Sequence, residues 1–325
     1  MKLVYKNRSY VLNGTETVLD GLLRHGIEIP HACKSGVCQS CIMRVIEGSV
    51  PEKSQYNLKT TFRRNGLFLS CQCEPVTDMV ISDANDLNID VIGQILDYSL
   101  FTPNTLRLLV KTDAMFVCEP GQYVTLINQN NVARSYSVAN NPKFDGYLEF
   151  HIRLIPNGKM GRWLQHDAKV GDSILIRGPM GNCFYTFDNN EISRAIILAG
   201  TGTGLAPLYG IVKEALRMEH KGKIQLFHGA LNESGLYMVD ELNNMQKNYI
   251  NFSYVPCVLS EDTTTTCTIG NIEELVMQSI LNLDKNTQLF ICGDSALVNS
   301  LKIKAFIAGL MSKNIYSDSF IPSQK

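Results

Sequence analysis

Residues 33–41 read Cys33-Lys34-Ser35-Gly36-Val37-Cys38-Gln39-Ser40-Cys41, and the next cysteines are Cys71 and Cys73. The spacing is C-x4-C-x2-C, with twenty-nine residues between Cys41 and Cys71. That is the ligand spacing of a plant-type 2Fe–2S cluster. A two-iron core takes four thiolates, and one tight loop supplies three of them here. Gly36 lets that loop fold closely, while the small neighbours Ser35 and Ser40 leave backbone N–H groups free to point at sulfur. A structural zinc site would show two C-x2-C pairs, but only one is present and the second half is C-Q-C. With four thiols available, His31 reads as a surface or packing residue rather than a ligand.

The remaining composition sets bounds. At 325 residues the chain has room for two or three domains. Its 45% hydrophobic and 19% charged content is that of a globular protein. A net charge of −1 gives no footprint for nucleic acid. The opening M-K-L-V-Y-K-N-R-S-Y has no apolar signal region, and no stretch has the length of a membrane span. The ten cysteines, four assigned to metal, do not sit in a short secreted chain. The expected setting is cytoplasmic.

The patterns divide the chain into residues 1–88, 89–190 and 191–325. In the first segment Thr15 or Thr17 caps a helix from Val18 to about His25, closed by Gly26. Strands are expected at Ile27–Ile29, Cys41–Glu47, Leu67–Cys71 and Met79–Ser82, which together make a small α+β β-grasp domain. Asp83–Asp90 (D-A-N-D-L-N-I-D) reads as a polar linker. Six short strands follow between Val91 and Pro179, predicting an antiparallel β-barrel. From Arg194 the pattern changes to strand, helix, strand, the signature of a doubly wound parallel α/β domain. Thr263–Thr266 reads as a loop. Within this last domain Gly200-Thr201-Gly202-Thr203-Gly204-Leu205-Ala206-Pro207 follows a buried strand and opens a helix. That context suits a pyrophosphate, which glycine backbone can approach and a helix N-terminus attracts.

Arg134-Ser135-Tyr136-Ser137-Val138-Ala139-Asn140 is by itself only a strand headed by an arginine. Here, however, the chain resembles the ferredoxin–NADP reductase superfamily, and the resemblance extends over its whole length. It implies that Arg134 faces flavin phosphates, Tyr136 packs on the isoalloxazine and Ser137 hydrogen-bonds near the reactive nitrogen. It also implies that Gly158, Lys159, Met160 and Gly161 lie beneath the pyrophosphate at a helix start. Gly161 stands where relatives carry Ser or Thr, a departure that removes one side-chain bond, which Lys159 could replace; the resemblance still implies FAD over FMN. L-S-C-Q-C resembles the ending of ferredoxin-like domains, which makes Cys71 the fourth ligand beside Cys33, Cys38 and Cys41, and Cys73 a structural thiol. The octapeptide Gly200–Pro207 is similar to the family's NAD(P) loop. Cys292, in Ile291-Cys292-Gly293-Asp294, would stand beside the nicotinamide, and Phe320 would cover the flavin where nicotinamide enters.

Two further choices follow from the residues. No Lys or Arg occurs from Ala230 to Tyr237, and Glu233 would repel a 2′-phosphate, so NADH is expected rather than NADPH. The three-part order resembles the reductase components of multicomponent oxygenases: an iron–sulfur flavoprotein oxidoreductase that hands electrons to a partner protein. The tail S-D-S-F-I-P-S also resembles the reductase of a pyridoxamine-dependent deoxysugar 3-dehydrase. Free-flavin reduction and a redox-sensing binding module are the remaining alternatives, the first weakened by the appended cluster and the second by the set Arg134, Gly202 and Cys292.

Overall fold

The computed structural model describes residues 1–56, 58–84, 89–112, 116–186, 192–259, 267–281 and 284–320. They form two compact units, Met1–Asn88 and Ile89–Lys325. The expected loop at Thr263–Thr266 and the centre of the expected linker lie outside the described residues.

The first unit is a mixed five-stranded sheet with one main helix. Strands β1 (Lys2–Tyr5) and β2 (Arg8–Val11) form a hairpin before helix α1 (Val18–Arg24). Strand β3 (Ile42–Glu47), helix α2 (Thr60–Arg64), β4 (Leu67–Leu69) and β5 (Met79–Asp83) follow, and the sheet order is β2-β1-β5-β3-β4. Thr17 is the N-cap of α1, its hydroxyl accepting the Asp20 N–H. Val18, Leu19 and Leu22 bury one face of α1 against Leu3, Met43 and Phe68. The expected strand at Ile27–Ile29 is not formed, because those residues end the helix instead. Gly26 N–H bonds Leu23 O, and Ile27 N–H reaches back to Leu22 O, with Gly26 at φ +75°.

The second unit begins with a six-stranded antiparallel sheet. Strands β6 (Ile89–Thr102), β7 (Thr105–Thr112), β8 (Tyr123–Ile127) and β9 (Ala133–Ser137) are followed by α3 (Pro142–Asp145) and β10 (Leu148–Arg153). Helix α4 (Lys159–His166) precedes β11 (Ser173–Met180). The order is β10-β7-β6-β11-β8-β9, and a bridge between Val138 and Phe150 closes the two ends into a barrel. Alternating residues of β7 and β10 (Leu106, Leu108, Val110, Phe150, Ile152) fill its interior.

The remainder is a parallel sheet wound on both faces. In order come β12 (Ile196–Thr201), α5 (Leu205–Arg217), β13 (Ile224–Ala230), α6 (Val239–Asn248) and β14 (Phe252–Val258). Then come β15 (Thr268–Ile269), α7 (Ile272–Leu281), β16 (Gln288–Asp294), α8 (Ser295–Ile307) and β17 (Ile315–Phe320). Along β12, Ile196 and Leu198 pack in the core with α5, and Ile197 and Ala199 pack in the core with α7 and α8. That explains the unbroken apolar run: both faces are covered. The strand order β15-β14-β13-β12-β16-β17 turns back between β12 and β16. Ligands of such sheets bind at that switch point.

Candidate functional site

The cysteine loop owes its shape to three left-handed residues, Lys34, Gly36 and Gln39, at φ +51°, +77° and +58°. A Cβ on Gly36 would lie 3.0 Å from Gln72 Cγ, so the loop sits too close to its neighbour for a side chain. Gln72, which sequence reading passed over, ties the two ligand segments together: its Nε2 donates to Lys34 O at 3.0 Å and Cys71 O at 3.1 Å. The N–H groups of Ser35 and Cys38 both donate to Cys33 Sγ at 3.4 Å. The Ser35 hydroxyl, followed by these N–H groups, brings the Cys33 thiol down to about 5. Burial raises the Cys41 thiol, which lies against Cys71. Among the described residues no three Cys, His, Asp or Glu side chains converge on one metal ion. Instead the thiols form two pairs, Cys33 with Cys38 and Cys41 with Cys71. Two pairs of acidified or closely neighboured thiols fit a two-iron cluster better than a single ion. Cys73 is fully buried and its thiol is pushed up to about 12, so it acts as a small apolar filler.

In the second unit, β9 ends the sheet, and Arg134 and Tyr136 project from one side of it two residues apart. Arg134 Nη1 donates to Ala133 O at 2.6 Å, leaving the rest of the guanidinium available. Tyr136 packs against the barrel core, and burial raises its phenol. Gly158 is the N-cap of α4 without a side-chain hydrogen bond, so the N–H groups of Lys159, Met160 and Gly161 open the helix uncapped by any side chain. A Cβ on Gly161 would lie 3.2 Å from Leu154 Cδ2. The glycine found in place of Ser or Thr therefore serves a close contact with the barrel. An uncapped helix start and a guanidinium fit an anionic, phosphate-bearing group.

The tertiary structure gathers the remaining residues into one corner. Gly200 pairs in register with Cys292, and Cys292 pairs with Asp318. A Cβ on Gly204 would lie 2.3 Å from the Cys292 carbonyl oxygen. The Gly200–Gly204 turn is thus pressed against the end of β16, whereas Gly202, at φ +53°, has open space around it. A turn whose backbone is bare on one side and seated on the other fits a dinucleotide pyrophosphate. Thr201 ends β12, Thr203 lies in the turn and Pro207 in the first turn of α5. Asp294 is used locally, its carboxylate accepting the Ala296 N–H at the start of α8. Phe320 lies opposite Asp294, on the same side of β17 as Asp318.

Two residues of this corner had no assignment from sequence. Asp318 accepts a hydrogen bond from Ser137 Oγ at 3.3 Å, joining β17 to β9 across 181 residues. The signal was present, since Asp318 precedes Phe320 by two and so shares its face. Cys183 lies with its Sγ 3.6 Å from Cys292 Sγ, both buried, and no local motif marks it. Burial, then the Cys183 thiol, holds Cys292 protonated well above the ordinary thiol range. Cys292 is therefore a soft, neutral wall rather than a nucleophile.

Three domain families match the chain in order. They are a 2Fe–2S iron–sulfur cluster binding domain over residues 5–76, an oxidoreductase FAD-binding domain over 99–185 and an oxidoreductase NAD-binding domain over 198–302. The chain thus carries the three domains of an iron–sulfur flavoprotein reductase, and its relatives include reductase components of the same make-up. Among curated relatives, this reductase is 28% identical to the reductase subunit of an aromatic O-demethylase from Amycolatopsis sp., over 95% of each chain. It is 29% identical to a CDP-6-deoxy-L-threo-D-glycero-4-hexulose-3-dehydrase reductase from Yersinia pestis, covering 97% of this chain and 96% of the relative. The crystal structure of an Amycolatopsis cytochrome P450 reductase superposes with a TM-score of 0.68 at 26% identity, over 99% of both chains. The reductase is thus an electron-transfer oxidoreductase with iron–sulfur, FAD and NAD(P) domains. No helix among its described residues is long and apolar enough to cross a membrane.

Burial raises the Asp318 carboxyl of the reductase to about 6, against a lowering by the Ser137 hydroxyl. A carboxyl raised in the folded state stabilises the fold below its unfolded value of 3.8, and that contribution is lost as pH rises through about 6. At neutral pH the ionised group therefore costs up to about 3 kcal/mol, less whatever solvent screening removes. Asp318→Asn keeps the acceptor for Ser137 and removes the charge. It should stabilise the protein more at pH 7.5 than at pH 4.5, by roughly 2 kcal/mol in denaturant unfolding. An equal gain at both pH values would show that Asp318 is not raised.

Proposed function

We propose that the reductase oxidises NADH and passes the electrons singly to an oxygenase component. The convergence of Ser137, the Gly200–Gly204 turn, Cys292 and Asp318 on one corner of the second unit carries this reading. When bound, the nicotinamide supplies a hydride, the flavin accepts two electrons and releases them one at a time, and the cluster carries one. The chain's own residues bind, orient and exclude. Arg134 and the N–H groups of Lys159, Met160 and Gly161 hold flavin phosphates, and Tyr136 backs the ring. Ser137 Oγ directs a hydroxyl at the flavin's reactive edge, with Asp318 behind it as the proton acceptor. Gly200, Thr201, Gly202, Thr203, Gly204 and Pro207 seat the dinucleotide, with Gly293 and Asp294 bordering it. Cys292 would present an uncharged sulfur to the nicotinamide, and Phe320 would cover the flavin where nicotinamide enters. Cys33, Cys38, Cys41 and Cys71 hold the cluster.

The division at 88/89 and 190/191 follows the same reading, each segment holding one redox group. A cytoplasmic setting suits a chain whose ten cysteines are all free, since cluster thiols must stay reduced. The preference for NADH rests on Glu233, exposed in the turn after β13 with no Lys or Arg from Ala230 to Tyr237. NADH should exceed NADPH in kcat/KM by at least about tenfold, and Glu233→Arg should raise the NADPH value by about tenfold. Equal use of both cofactors by the unaltered chain would remove Glu233 from the choice.

The deciding experiment is anaerobic titration with NADH, followed by visible absorbance and EPR. Bleached flavin bands together with a rhombic reduced-cluster signal are expected. Bleaching without the EPR signal would sever the cluster from the path. A second partner class, a deoxysugar 3-dehydrase, is favoured by the 29% identity to the Yersinia pestis reductase, which matches the 28% identity to the aromatic O-demethylase reductase subunit. Side-by-side NADH-driven reduction of an oxygenase component and of such a dehydrase separates the two.

A further inference from the structure

His228 lies in the middle of the buried sheet, on β13, where it pairs in register with Gly200 of the dinucleotide turn. It is completely buried, and its Nε2 has no hydrogen-bond partner. Tyr254 lies with its hydroxyl 3.3 Å from His228 Nδ1. Burial pushes the imidazole down to about 4, so it is neutral and carries one proton. In the tautomer that takes the Tyr254 hydroxyl as donor to Nδ1, the proton sits on Nε2, a buried donor without an acceptor. The turn is its neighbour in the sheet, through the register with Gly200, and the Gly202 backbone is close enough to raise the imidazole's basicity although no hydrogen bond to Nε2 is made.

The ring is held there by a connected set of polar and aromatic side chains. Tyr237 packs edge-on against it at 5.4 Å between centroids, and the Tyr237 hydroxyl lies 3.0 Å from His151 Nδ1. His151 Nε2 bonds Glu149 Oε1 at 3.1 Å, and Glu149 takes a two-pronged pair from Arg107. Glu149 N–H in turn donates to Asn140 Oδ1, at the end of the segment that carries Arg134 and Ser137. The ring of His228 is thus packed against a hydrogen-bonded set of side chains, while its own Nε2 stays unpartnered.

We propose that His228 is a positioning residue for the dinucleotide, its Nε2–H capturing the Gly202 carbonyl when a bound pyrophosphate draws in the N–H groups of the Gly200–Gly204 turn. This rests on the reading of that turn as the NAD(H) site. The bond forms only in the bound state, so it strengthens binding without altering the reacting atoms. Gln places an amide nitrogen near the position of imidazole Nε2, whereas Asn reaches only as far as Nδ1.

The test is calorimetric titration of NAD+ into the flavin-loaded full chain and its His228→Gln and His228→Asn variants, alongside steady-state NADH kinetics. His228→Gln should bind within about twofold of the parent. His228→Asn should bind about tenfold more weakly and raise the KM for NADH with kcat unchanged. Both variants exchange one buried polar side chain for another, so a general packing defect would weaken both alike. Equal binding by the parent and both variants, or equal losses in both, overturns the proposal while leaving the dinucleotide site in place. A parent chain that binds neither NAD+ nor NADH overturns the site reading itself, and the role of His228 with it.

Discussion

Cys38→Ser should abolish NADH-driven reduction of the partner protein, by at least about a hundredfold, while reduction of a two-electron dye stays within about twofold. An alcohol is a far poorer iron ligand than a thiolate, because the hydroxyl keeps its proton at neutral pH whereas the cluster needs sulfur anions. Cys38 also contributes its N–H to Cys33 Sγ at 3.4 Å, so the substitution disturbs one whole thiol pair. The residues proposed for flavin and dinucleotide all belong to the other compact unit, Ile89–Lys325, which is why dye activity should be retained. The check is iron content, the reduced-cluster EPR signal and two acceptor assays on one preparation. Undiminished partner reduction without a cluster would take the cysteine loop out of the electron path.

Gly204→Ala should have the second large effect, lowering kcat/KM for NADH by about a hundredfold, some 2.7 kcal/mol of lost transition-state stabilisation. The cause is steric. Gly204 has an ordinary φ of −58°, so alanine meets no backbone strain there. Its methyl would stand 2.3 Å from the Cys292 carbonyl oxygen and 2.8 Å from the carbonyl carbon, both backbone atoms in the sheet. Backbone held in a parallel ladder cannot yield cheaply, so the turn must lift away from β16. Gly202→Ala is the control with the opposite character: φ is +53° and nothing lies within 4 Å, so only about 1 kcal/mol of left-handed strain is expected. Flavin content and the cluster EPR signal should be unchanged in both variants. If Gly204→Ala binds NADH as tightly as Gly202→Ala, contact between the turn and Cys292 does not shape the site.

The sequence was most legible where function depends on residues close together along the chain. The cysteine spacing, the strand–glycine turn–helix of residues 194–217 and the Thr17-to-Gly26 helix are each written within a few dozen positions. Local chemistry encodes them: thiolate count, glycine at close approach, a hydroxyl cap. Even so, Ile27–Ile29 misled as a strand, because the Ile27 N–H was needed to end α1. At Gly161 the sequence showed a missing hydroxyl, and only the packing showed why, with Leu154 Cδ2 at 3.2 Å from any Cβ.

By itself, then, the sequence determined the three-domain order, the class of each redox group and the loops that would hold them. The tertiary structure alone decided that Asp318 backs Ser137, that Cys183 lies against Cys292 and that His228 is buried in register with Gly200 with its Nε2 unpartnered. The partners in the first two contacts are separated by more than a hundred residues, and all three are set by strand register and by the closing of barrel upon sheet. A polar side chain's role in such a place depends on which groups surround it and which bond remains unmade. No spacing along one chain records that, because burial and partnership belong to the assembled fold.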